Sequence, residues 1–150
     1  AMHMQGTPQT MQNNPVYGFA PIDVFEVLKR HIDRLVAAGL PKSHIAVDPG
    51  FGFGKTHVHN AQLINWTSLF HGLGVPVSIG VSRKSSIPKL AASGGYGGEY
   101  GASSDDRLGG GLALSLAASA QGAQIIRTHD VAETVQALAV EKGLKEGGLS

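Results

Sequence analysis

The chain has 150 residues and a formal net charge of +1, which suits one domain with a real core and gives no reason to expect nucleic acid or an anionic membrane as a partner. It has no cysteine, which excludes disulfides, thiolate metal sites and a cysteine nucleophile and fits a reducing, cytoplasmic compartment. No apolar run approaches the roughly 20 residues of a membrane span, and no basic-then-apolar leader is visible.

AMHMQG reads as the end of a strand entering a loop rather than as a natural start, and TPQTMQNNPVYG continues that loop. Pro21 suits the first turn of a helix, and Val24, Leu28, Ile32 and Leu35 recur at helical spacing. Gly39 and Pro41 end it. HIAVD is a short apolar strand ending at Asp48, followed directly by DPGFGFGKT. Asn60 is expected to cap a second helix that buries Leu63, Ile64, Trp66 and Phe70, with Gly72 and Gly74 closing it. PVSIGV is the next strand, running into Ser82-Arg83-Lys84-Ser85 and a short helical piece. A glycine-rich stretch, ASGGYGGEYGASSDD, reads as a mobile loop. Leu108, Leu112 and Leu116 mark a third helix whose glycines permit close packing. AQIIRT is a fourth strand, and Asp130 with Glu133 is expected to form the capping box of the last helix.

Strand, loop and helix thus repeat four times, which predicts a parallel sheet. Each strand is a continuous apolar run, as when both faces are covered. Polar residues gather just after the strand ends, at Asp48, Lys84, Arg127 and His129, the edge at which parallel α/β folds bind ligands. The pattern leaves two architectures open: half of a (β/α)8 barrel, which needs about 250 residues in full, or a small open sheet of four parallel strands.

DPGFGFGKT imitates two nucleotide loops and fits neither. Counting back from Gly54-Lys55-Thr56, the first glycine of a phosphate-binding loop would fall on Pro49. Gly50, Gly52 and Gly54 also miss the spacing of a dinucleotide fingerprint. A flexible connection remains the plain reading, against which stands a carboxylate at a strand end followed by two aromatics. SRKSS reads equally as a helix cap with solvated charges or as a set of hydroxyls and cations at a ligand edge. In IIRTHD, Arg127 and His129 are two residues apart and face the same side of an extended chain, beside a helix N-terminus suited to an anion. His57 and His59 form an H-x-H pair with no third ligand at a matching spacing, so a metal site there is a weak idea.

Together, MHMQGTPQTMQ, DPGFGFGK, a strand leading into SRKS, and IIRTHDV followed by ET and a helix resemble dihydropteroate synthase. The segments occur in the family's order and cover nearly the whole chain. The resemblance implies that residues 1–150 are the C-terminal half, strands five to eight, of a pterin-binding (β/α)8 TIM barrel whose N-terminal half lies outside this sequence. It implies condensation of 6-hydroxymethyl-7,8-dihydropterin pyrophosphate with p-aminobenzoate, giving dihydropteroate and pyrophosphate, with sulfonamides competing for the second substrate's site. Asp48 would accept two adjacent N–H groups of the pterin. Lys84 would donate to the pterin carbonyl and ring nitrogen. Arg127 would stack on the pterin and reach phosphate, and His129 would hold the pyrophosphate, making Lys84, Arg127 and His129 the catalytic group. Met2 and Gly80 would line the pterin slot, while Phe53 and Ser85 would border the p-aminobenzoate site. Lys55 and Thr56 would be peripheral.

The resemblance also implies Mg2+, carried by the pyrophosphate and by residues of the other half, with no metal ligand in this chain. It implies a homodimer. The family's first four strands are not represented here, so this chain by itself is expected to be inactive. A pterin-binding methyltransferase barrel and a non-catalytic half that only binds or assembles are the alternatives. The glycine-rich loop at 93–106 is longer than the family's connection, and its role stays open.

Overall fold

The computed structural model describes residues 1–6, 11, 15–96 and 103–147. Four extended segments lie side by side in chain order, all parallel. Met2 bridges Asp48, and Val47 bridges Val77. β1 (Ser78–Ile79) then pairs with β2 (Ile125–Ile126) in the register Ser78 to Ile125. The ladder is carried by Asp48 N–H to Ala1 O at 2.8 Å, Ser78 N–H to Val47 O at 2.7 Å and Arg127 N–H to Ile79 O at 2.8 Å. Sequential order with no reversal is the order of a barrel wall rather than of a doubly wound sheet.

Among the described residues five α-helices accompany the strands: α1 (Ala20–Ala37), α2 (His57–Asn65), α3 (Ser86–Ser93), α4 (Leu108–Ala120) and α5 (Val131–Gly147). α1 follows its sequence signals. Pro21 sits in the first turn, and the Asp23 carboxylate accepts the Gly18 N–H at 2.7 Å. Val24, Leu28 and Ile32 form its buried stripe, and Gly39 continues past the end at φ +93°. That stripe packs into one core with Ile45, Val47, Phe51, Leu63, Phe70, Val75, Val77, Ile79 and Val81. Each such side chain contributes about 1.5–3 kcal/mol by leaving water. Among the described residues no helix is long and apolar enough to cross a membrane.

Three expectations are corrected. α2 is capped by Thr56, not by Asn60. The Thr56 hydroxyl accepts from His59 N–H, and His59 Nδ1 accepts the Thr56 N–H. Asn60 is fully buried, its carbonyl accepting from Gly52 N–H at 2.8 Å while its amide donates to Ser86 Oγ at 2.8 Å. A polar side chain with so many groups to satisfy serves better as a buried tie than as one cap bond. Trp66 is half exposed, set edge-on against Phe19, because α2 ends at Asn65 and the chain tightens into a 3-10 helix at Thr67–Leu73. α4 forms where Leu108, Leu112 and Leu116 mark it; it buries its small residues, Gly111, Ser115 and Ala118, with Leu108 exposed and Leu112 and Leu116 half buried. Close helix packing needs small residues on the inner face. The Asp130 carboxylate takes Arg83 and Ser82 as partners instead of making the expected capping box with Glu133. Most of the polar loop after Gly6 and residues 97–102 of the glycine-rich loop lie outside the described residues.

Lys55 is the fourth correction, and it positions the site. It is 3% exposed, not peripheral. Its ammonium donates to His3 Nδ1, Gly50 O and Phe53 O, each at 2.9 Å. Burial pushes its pKa down to about 7. His3 accepts at Nδ1 and so must be neutral there. Burial first, then the Lys55 and His31 charges, hold its pKa down to about 4. The folded protein therefore binds fewer protons at His3 than the unfolded chain between the ordinary value of 6.5 and about 4. The stability this gives is complete above pH 6.5 and is lost as pH falls through that window. Urea unfolding at pH 7 and pH 4.5 should show acid loss on the order of 2–3 kcal/mol that His3→Gln removes. An equal acid loss in His3→Gln would show that His3 is not its source.

Candidate active site

The strand ends carry the polar groups onto one edge of the sheet. Asp48 ends the second strand, where its Oδ1 accepts Gly50 N–H at 2.8 Å. Burial raises the Asp48 pKa, opposed by that N–H and then by the charges of Arg127, Lys84 and Lys55. The carboxylate thus lies within the field of all three cations. After it, Gly50, Gly52 and Gly54 have φ of +73°, +82° and +62°. A Cβ on Gly50 would overlap the His3 carbonyl, and Tyr17 O–H reaches Gly54 O at 2.8 Å. The alternating glycines let the loop fold against strand one. They serve backbone geometry, not a phosphate cradle.

That fold places Phe53 over Lys84, with the Lys84 Nζ 3.9 Å from the ring centroid. Gly52 leaves room for the Lys84 stem, since a Cβ there would stand 3.3 Å from Lys84 Cδ. Burial, and then Arg127, lower the Lys84 pKa, while Asp48 opposes them. Arg127 leaves the end of β2 and crosses Gly80. A Cβ on Gly80 would lie 2.7 Å from Arg127 Nη2. His129 follows on the same side, its Nδ1 3.0 Å from Ser82 Oγ.

A cavity of about 390 Å3 is lined by Phe53, Gly80, Ser82, Lys84, Arg127, Thr128 and His129. Five of the residues singled out from the sequence therefore share one cavity. Asp48 joins them through its charge coupling to Lys84 and Arg127, and Met2 lies next to Asp48 across the strand bridge. Ser85 falls elsewhere. It lines a second cavity of about 360 Å3 with Pro15, Lys55, Thr56, His57, Ser86 and Lys89. The sequence reading missed Asn60, Lys55 and the pairing of Ser82 with Asp130. Of these, only Lys55 carried a signal, a charged residue closing a glycine loop.

The cavity lining holds two fixed cations and an imidazole, with no carboxylate among its residues. Such a donor set fits an anion and does not fit a divalent metal. The Asp48 carboxylate is left as an acceptor for N–H groups beside that anion site.

The pterin-binding enzyme family ("Pterin binding enzyme") matches residues 1–129. Dihydropteroate synthase of Escherichia coli (strain K12) is 43% identical over 143 residues, covering 93% of this chain and 46% of that protein. The Yersinia pestis dihydropteroate synthase in a sulfonamide drug complex superposes with a TM-score of 0.86 at 40% identity, covering 97% of this chain and 50% of that one. The Thermus thermophilus dihydropteroate synthase in complex with 4-aminobenzoate gives 0.84 at 33% identity, covering 96% and 55%. A strand-end edge with this donor set and these relatives leads to one conclusion: the chain belongs to the pterin-binding enzyme family and spans about half the length of the dihydropteroate synthases that it matches.

Proposed function

We propose that this chain supplies the second half of a dihydropteroate synthase barrel and, with it, part of the pterin pocket and the anion end of the active site. The observation that carries this reading is the cluster of Lys84, Arg127 and His129 in one cavity, with the Asp48 carboxylate beside it. An electron-rich bicyclic ring with two adjacent N–H donors at one end and a pyrophosphate at the other matches that polarity.

In this reading Asp48 accepts both pterin N–H groups, a bidentate charge-assisted pair. Its raised pKa fits a carboxylate that waits for donors in a partly dry site. Lys84, held by the Phe53 face, donates to the pterin carbonyl and ring nitrogen. Arg127 lies flat across Gly80, so its guanidinium stacks on the pterin while its fork reaches phosphate. The p-aminobenzoate nitrogen attacks the pterin methylene carbon. The C–O bond to pyrophosphate breaks, the electron pair leaves on the pyrophosphate oxygen, and the amine releases a proton. Arg127 and His129 stabilise the developing negative charge, which is where fixed cations lower a barrier. No protein nucleophile is needed.

In this reading the second substrate would be bordered by Phe53 and Ser85, which line two different cavities. The sulfonamide and 4-aminobenzoate complexes of the relatives support that class of ligand. In the same reading magnesium would enter with the pyrophosphate and be held by it and by residues of the other half, since the cavity lining here is cationic. A homodimer belongs to the same proposal. A second reading, a half that binds without turning over, is favoured by the exposed apolar residues Ile125, Val131, Val135 and Val140, which the described fold leaves uncovered. Purified as these 150 residues, the chain should show no synthase turnover; normal turnover would refute that expectation.

Two substitutions test the site in the enzyme that contains this chain. Asp48→Ala should weaken binding of 6-hydroxymethyl-7,8-dihydropterin pyrophosphate about 100-fold or more by calorimetry, and unchanged affinity would refute the assignment. Gly80→Ala should push Arg127 aside and lower kcat/KM roughly 10- to 100-fold with little change in melting temperature. Wild-type kinetics in Gly80→Ala would remove Arg127 from its proposed place.

A further inference from the structure

Ser82 Oγ stands at the centre of a chain of contacts that the proposed chemistry does not use. It lies 3.2 Å from Asp130 Oδ2, 3.2 Å from the His129 backbone nitrogen and 3.0 Å from His129 Nδ1. Ser82 is 7% exposed, so water contributes little to its hydrogen bonding. A hydroxyl has one proton and two lone pairs. Asp130 is ionised, its pKa lowered first by the Arg83 hydrogen bond, and so it can only accept. The Ser82 proton therefore goes to Asp130. The His129 backbone N–H takes one lone pair. The remaining lone pair faces Nδ1, and only an Nδ1–H can satisfy it.

We propose that Asp130 and Ser82 are positioning residues that fix neutral His129 as its Nδ1–H tautomer and leave Nε2 as the bare nitrogen for the cavity's ligand. A bare nitrogen accepts and cannot donate. Neutral in that tautomer, His129 can hold a pyrophosphate oxygen only with a proton added at Nε2. Binding of pyrophosphate is then coupled to proton uptake at that atom. This consequence rests on the proposed function above; the tautomer does not.

Arg83 sets the far end of the chain. Its Nη2 meets Asp130 Oδ1 at 2.7 Å, and Asp105 lies 3.5 Å from its Nη1. It adopts φ +59°, an uncommon conformation for a side chain of this size. That turn sends Arg83 toward Asp130 while Lys84, its neighbour, goes to Phe53. The charged groups around the imidazole are Asp130 beyond Ser82, Lys84 and Arg127 across the cavity, and Arg83 and Glu133 around Asp130. Ser82→Ala changes none of these charges, so any effect on His129 passes through the hydroxyl.

The experiment is nitrogen-15 NMR of the histidine rings at a pH where His129 is neutral, with His129→Gln identifying its signals. The Nδ1–H form should exceed the Nε2–H form roughly five-fold or more, as one good hydrogen bond dictates. Ser82→Ala and Asp130→Ala should each abolish that preference. Arg83→Gln, which keeps the Asp130–Ser82–His129 chain, should retain it, so a merely structural disturbance at this corner is told apart. A predominant Nε2–H form in the native protein, or an unchanged ratio in Ser82→Ala, overturns the proposal. Calorimetry of inorganic pyrophosphate in buffers of different ionisation heat gives the second arm. Proton uptake should be greater in the native protein and Arg83→Gln than in Ser82→Ala, and equal uptake in all three overturns the coupling. Failure of pyrophosphate to bind at all would count against the proposed function, with the tautomer ratio still deciding the inference drawn here.

Discussion

The site depends on one buried ammonium. Lys55 shares its three N–H groups among His3, Gly50 and Phe53, and so ties the end of the first strand to both halves of the loop that follows the second. That tie adds to the bonds that Asp48, Asn60 and Tyr17 make to the loop's glycines and to the burial of Phe51 in the core. The arrangement is balanced closely. Burial lowers the Lys55 pKa to about 7, and the Asp48 charge works against that fall. A neutral amine would keep two donors for Gly50 O and Phe53 O and a lone pair that His3 could meet only by switching to its Nδ1–H tautomer. The loop that carries Asp48 and Phe53 is therefore held by electrostatics as much as by packing.

Much of the fold was legible in the sequence because burial on both faces writes apolar runs that need no partner to be recognised. HIAVD, PVSIGV and AQIIRT each supply pairs of the ladder, and the helical stripe of α1 is buried where its spacing puts it. The failures share a cause. Asn60, Trp66 and Lys55 were read from residue type, but the partners that decide their place are distant in sequence. Asn60 answers to Gly52 and Ser86. Lys55 answers to His3, fifty-two residues away. Trp66 meets Phe19 across the gap between two helices. Periodicity along one helix cannot show such partners. At the site, chemistry-bearing residues at strand ends were legible as a set, whereas the Ser82–Asp130 pairing, which spans two strand ends, was not.

Glycine makes the same point from the other side. In the sequence its pattern in DPGFGFGKT imitated nucleotide loops, and its run after Ala92 read as mobile. In the structure several glycines mark places where something else needs the volume. Gly50 admits the His3 carbonyl, Gly52 the Lys84 stem, and Gly80 the Arg127 guanidinium. The last two bring cations to one cavity by the same device: an absent Cβ lets a long side chain lie flat against backbone. The glycine and the cation are then one functional unit, although they sit on different strands.

Bringing those cations together works against folding. Burial and Arg127 both lower the Lys84 pKa, and Asp48 only partly offsets them. Nothing in the cavity lining neutralises the pair. By contrast, Arg83 on the same loop is neutralised by Asp130 and Asp105. The chain thus pairs the cation that serves structure and leaves the ones facing the cavity with a surplus of positive charge. A fold that wanted only stability could place a carboxylate there, and an unmet cationic pair costs more as its surroundings grow drier. On the proposed function, a pyrophosphate would remove that surplus, and binding energy would be concentrated at the end of the ligand where negative charge grows as the bond to the leaving group breaks. That is the place where added stabilisation lowers a barrier instead of only tightening the ground state.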